Sequence, residues 1–69
     1  MPDKNVKIGD ITKNLRLKKN MSIGDVSKAA GITESILLGI EDHSVSPPLG
    51  NIISLAKVFQ VTVGEFFGD

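Results

Sequence analysis

A chain of 69 residues is one small domain, at the size where a single hydrophobic core is barely sufficient, so a second domain is excluded and economical helix packing or a partner is needed. With no Cys and one His, disulfides, thiol chemistry and zinc sites built on several soft ligands are excluded, a composition compatible with a reducing, cytoplasmic setting. The formal net charge of zero conceals an asymmetry: residues 1–20 hold six Lys or Arg against two acids, net +4, and residues 21–69 hold two against six, net −4.

The opening stretch MPDKNVK lacks the apolar core of a signal peptide, and no apolar run reaches the roughly 18 residues of a membrane span. Residues 1–6 read as a flexible arm and residues 7–69 as the folded domain. Periodicity predicts five helices and no strand, hence an all-α protein. The first runs from about Lys7 to Lys19, with Ile8, Ile11 and Leu15 on one face, a basic opposite face, and Asn20 as a left-handed stop. The second begins at Ser22, whose hydroxyl can cap the first turn while Asp25 sits near the positive end of the dipole. Val26 and Ala30 face inward, and Gly31 ends it.

The third helix starts at Thr33, another capping residue, and carries Leu37 and Ile40 to the core beside Ile32. SVSPP interrupts the pattern, because consecutive prolines cannot lie inside a helix but can open one. The fourth helix spans about Pro48 to Phe59, where Leu49, Ile52, Ile53, Ala56 and Phe59 make a strongly buried stripe. The last is a turn or two over TVGEFF, with Thr62 and Glu65 in the spacing of a capping box. Gly24, Gly39, Gly50 and Gly64 lie inside these helices, each costing about 1 kcal/mol against Ala.

Two short helices joined by a tight Gly-containing turn, with one helix before and two after, is the layout of a helix-turn-helix module. The chain resembles the Cro and lambda-repressor-type (Xre) helix-turn-helix family from Ile8 to Phe67. The segments that carry the likeness are IGDITKNLRLKKNMS, DVSKAAGIT, GIEDHSVSPPL and LAKVFQVTVGEFF. The SPPL segment and the FF ending look most like members with a cupin domain behind the DNA-binding one. The resemblance therefore implies a compact five-helix lambda-repressor-like fold that regulates transcription by binding double-stranded DNA, with no cofactor. A homodimer on paired half-sites and a cupin-like effector domain downstream are further implications.

Several residues acquire roles only through this resemblance. Arg16 is implied to pair with Glu41 as a structural tie, Ser27 to occupy a close helix approach, and Gly31 to form the turn. The third helix, about 33–42, is implied to lie in the major groove with Thr33, Glu34, Ser35 and Gly39 as readers and Ile36 and Leu38 nearby. Ser22, Ile23 and Lys28 stand where the second helix meets phosphates. Asp42 and His43 follow Glu41, the first where relatives often have Asn or Arg and the second where they end the helix with Gly. His43 is expected to cap that helix end in an exposed turn rather than to catalyse or bind metal.

The reading face departs from the family pattern. No Lys, Arg, Gln or Asn occurs between Gly31 and Asp42, and Ile23 stands where relatives often have Gln. An apolar patch of Ile23, Ile36 and Leu38 would suit a protein-interaction module instead. Nothing in the chain assembles a catalytic constellation, so an enzyme is not expected.

Overall fold

The computed structural model describes residues 4–67, with side chains from 7 to 67, and contains five helices: α1 Lys4–Lys18, α2 Ile23–Ala30, α3 Glu34–Glu41, α4 Leu49–Phe59 and α5 Val63–Phe66. No strand occurs among the described residues. The all-α architecture follows from where the chain can stop and restart helices. Asn20, His43 and Gln60 all take left-handed backbone, with φ of 56°, 71° and 59°. At all three stops the following N–H closes the helix end, Met21 onto Arg16 and Val61 onto Ala56 at 3.0 Å and Ser44 onto Gly39 at 2.9 Å.

Helix α1 begins three residues earlier than periodicity places it, so residues 4–6 of the expected arm are helical and residues 1–3 lie outside the described residues. Lys-Asn-Val offers no apolar spacing to read, but continuing a formed helix adds one hydrogen bond per residue fixed. Helix α4 begins at Leu49, and Pro48 is its N-cap, with φ −60° and ψ 153°. The expected capping box of α5 is absent. Thr62 makes no side-chain cap, and the Glu65 N–H instead donates to the Thr62 carbonyl at 3.1 Å, a backbone turn that leaves the carboxylate in solvent.

The core gathers Ile8, Val26, Ile32, Leu37, Ile52, Leu55, Ala56, Phe59 and Phe66. Helix α3 packs on α1, α2 packs on α4, and α5 closes against both α4 and α1. The stripe on α4 is narrower than expected. Ile52, Leu55, Ala56 and Phe59 are buried, whereas Leu49 is 60% and Ile53 40% exposed. At 100° per residue these two lie on the edge of the stripe, beyond the helices that cover its centre. Burying the core set is the main favourable term for a domain this small.

Gly9 lets α1 and the end of α3 approach. A Cβ there would run into the Ile40 carbonyl oxygen and the His43 ring. One turn on, the buried Thr12 hydroxyl donates to the Ile8 carbonyl at 2.8 Å, so its polar atom is satisfied within α1.

Candidate nucleic-acid interface

The start of α2 is fixed by a reciprocal cap. The Asp25 N–H donates to Ser22 Oγ and the Ser22 N–H to Asp25 Oδ2, both at 3.0 Å. Hydrogen bonds from the Ser22 backbone and hydroxyl hold the Asp25 carboxyl below the usual carboxylate range. Gly31 then turns the chain at φ 69°, and the Ser27 hydroxyl donates to the Ile32 carbonyl, locking the turn from the α2 side. Thr33 Oγ1 accepts from the Ile36 N–H at 3.2 Å and starts α3. Both helix starts thus have one N–H satisfied by a hydroxyl, with Ser22 and Thr33 themselves exposed.

Helical spacing sorts the residues of α3. Leu37 and Ile40 point into the core, while Glu34, Ser35 and Leu38 form the outward face. Leu38 is 50% exposed and Ile36, on the flank, 40%. Glu34 is turned toward the first turn of α2: a Cβ on Gly24 would lie 3.7 Å from its Oε2. A carboxylate there sits near the positive end of the α2 dipole.

Gly39, expected among the readers, does not share the outward face. It is buried, and a Cβ would collide with the Val45 side chain, because the chain after α3 folds back over this position. The Gly39 carbonyl accepts from the Ser44 and Val45 N–H groups at 2.9 and 3.0 Å. Ile23 is likewise half-buried against the core, so the imagined patch of Ile23, Ile36 and Leu38 loses a member.

The far end of α3 is tied down. Arg16 Nε donates to Glu41 Oε2 at 2.8 Å and Arg16 Nη2 to Glu41 Oε1 at 3.0 Å, while Arg16 Nη1 donates to the Met21 carbonyl at 3.1 Å. The hydrogen bond to Glu41 raises the Arg16 pKa above its ordinary value, burial opposing and Coulomb attraction adding. Asp42 is the C-cap, and its Oδ1 accepts the Ser44 N–H at 2.9 Å; the Ser44 hydroxyl and then this N–H hold its carboxyl below the usual range. His43, one residue past that cap, places Nε2 2.9 Å from Asp10 Oδ1 across the α1 crossing.

The sequence profile of the helix-turn-helix family matches residues 13–66, which include the capped α2, the turn and α3. The chain belongs to the helix-turn-helix family. This is a family of DNA-binding transcription regulators and not an enzyme family. Among solved structures, the chain is similar to the restriction-modification controller protein C.AhdI from Aeromonas hydrophila. That match has 28% identity and a TM-score of 0.87, covering 91% of this chain and 96% of that one. A point mutant of the restriction-modification controller protein C.Esp1396I has the same fold, with 23% identity and a TM-score of 0.86, covering 96% of this chain and 84% of that one. No curated protein sequence matches.

In this helix-turn-helix domain Lys13, Lys18, Lys19 and Lys28 are all exposed. No described helix is long and apolar enough to cross a membrane. Sequence reasoning missed Gly9, the Asp10–His43 contact and the Ser44–Val45 fold-back. Gly9 sits in a helical pattern that already had its apolar face, so only its lack of a side chain hinted at a crossing.

Proposed function

We propose that the protein is a sequence-specific DNA-binding transcription regulator whose α3 enters the major groove. The observation that carries this reading is the solvent-facing Thr33, Glu34, Ser35 and Leu38 face beside two exposed, hydroxyl-capped helix starts. Such starts present N–H groups to phosphate oxygens and fix the register of a helix on the duplex. Lys28 and Ser22 then belong to the phosphate-facing side. Asp42 and His43 sit at the rim, already engaged with Ser44 and Asp10. A cytoplasmic location follows from a DNA partner in this reading, and the likeness to C.AhdI makes restriction-modification genes the first set to test as targets.

Binding is weak because acids oppose it. The slope of log K against log salt will correspond to about two to four phosphate contacts rather than the 6 to 10 of strong binders. Glu34→Gln removes a charge from beside the α2 start and will strengthen binding to all duplexes by about threefold, the worth of one charge several Å from a phosphate in water. A salt-series titration of both proteins on random duplex checks this. Equal affinities, or a steep slope with nanomolar binding at physiological salt, would contradict the proposed surface.

A two-fold dimer is part of the same proposal. Leu49 and Ile53 are exposed one turn apart on α4, and Phe67 is 38% exposed just after α5. A small domain gains from covering such groups with a second copy. Sedimentation of the native chain will show self-association that Ile53→Asp abolishes, and a native chain that stays monomeric at high concentration rejects the dimer. The family match and the likeness to C.AhdI concern the helix-turn-helix domain alone and lend no support to a cupin-type effector domain.

Leu38 and Ile36 also favour the second reading, a protein-interaction module, because both are exposed apolar groups on one helix. In that case Leu38→Asp abolishes partner association without unfolding the domain, and no duplex binds.

A further inference from the structure

We propose that α3 reads its operator through a thymine C5-methyl group held against Leu38, and not through guanine acceptors. This rests on the major-groove docking proposed above.

The chemistry of the face leaves few choices. Guanine is recognised through O6 and N7 by paired donors, normally from Arg or Lys, and adenine through an amide from Asn or Gln. Thr33 to Asp42 contain none of these four residues. Thr33 Oγ1 accepts the bond that caps α3, and the exposed Thr33 and Ser35 hydroxyls offer one donor each, neither of them a paired donor. Glu34 offers only acceptors and is turned toward α2. The largest exposed group on the face is the isobutyl of Leu38.

Its position makes it central. At 100° per residue Leu38 projects between Glu34 and Ser35, one turn beyond the helix start. It is half exposed, while the adjacent Leu37 and nearby Ile40 are fully buried and hold that stretch of backbone in place. Leu38 therefore faces outward at a fixed angle. Of the groups on the major-groove floor, only the thymine methyl is an apolar projection. An isobutyl group against any other base edge strips water from donors and acceptors without replacing their hydrogen bonds. Leu38 thus rewards a T·A pair beneath it and penalises G·C.

The test uses the whole chain. A duplex is selected from a randomised pool, and each thymine of the selected site is replaced in turn by deoxyuridine, which lacks only the C5-methyl. At one position per half-site, affinity falls about fourfold, the value of burying one methyl-sized group. A 5-methylcytosine at a cytosine introduced there restores part of the loss. Leu38→Ala, an exposed substitution that leaves the helical circular dichroism unchanged, binds the thymine and deoxyuridine sites alike, so the two changes are not additive. A selected site indifferent to every deoxyuridine replacement, or a Leu38→Ala protein that keeps the full penalty, overturns this inference while leaving α3 docking intact. A pool yielding no enriched sequence overturns the docking itself, and this inference with it.

Discussion

Replacing Glu41 with Gln will lower the melting temperature by about 10 to 20 °C, the largest loss expected from any single polar change in the domain. The Arg16 and Glu41 side chains are only 12% and 7% exposed, and they meet through two parallel hydrogen bonds. Gln keeps the shape but turns one carboxylate oxygen into an amide donor aimed at the guanidinium. A shielded cation then lacks its counter-charge. Breaking one partner of a buried pair costs about 3 to 5 kcal/mol, which partial exposure here reduces to about 2 to 3. Because Glu41 raises the Arg16 pKa, this contribution is complete below the ordinary arginine value and is lost only as pH rises through the folded one. The loss in Glu41→Gln is therefore expected to be the same at about pH 6 and about pH 9. The joint Arg16→Met, Glu41→Leu variant should recover much of the loss, since it buries no unpaired charge. A calorimetric shift under about 3 °C for Glu41→Gln would mean that solvent already screens the pair.

Gly9→Ala and Gly50→Ala will shift stability in opposite directions, although both replace a helical glycine. In an open helix the change to Ala gains about 1 kcal/mol. Gly50 has nothing within 4 Å of a new Cβ, so that gain is expected in full. At Gly9 the Cβ meets the Ile40 carbonyl oxygen, a backbone atom that cannot step aside, as well as the His43 ring. Helix α1 must lift off the end of α3, and the overpacking costs about 1 to 3 kcal/mol net of the helix gain. Gly9→Val should cost more and disturb the Arg16–Glu41 bonds one to two turns along. Urea unfolding of the three variants decides it, and a stabilised Gly9→Ala would show that the crossing is loose.

The parts of the fold legible in the sequence are those set within a few residues. Ser22, Thr33, Asn20 and Gly31 act on their own neighbours, and each stands where its local chemistry puts it. Thr62 and Glu65 have the same local signature yet make no box, because a helix of four residues gives the carboxylate little to hold it. What escaped the sequence depends on distant segments. Ile53 lies at the edge of the α4 stripe, and how far the other helices reach round that edge decides that it stays 40% exposed. Gly39 occupies a reader's position in the chain, and only the fold-back that seats Val45 removes it from the surface. The face of α3 was half legible for the same reason. Leu38 and Ser35 needed only the periodicity of α3, whereas the direction of Glu34 required knowing where α2 begins.

The attachments of α3 bear on what docking costs. One end is held at Ile32 by Ser27, and the other by Glu41 on Arg16, by the Gly9 crossing and by His43 beside Asp10. A helix of eight residues would fray in isolation, but this one is clamped at both ends like a short beam. The conformational entropy of presenting Leu38 and Ser35 has been lost during folding, before any duplex arrives. Less of the modest interaction energy available to an acidic face is then consumed by ordering, so rigidity compensates in part for the charges it lacks.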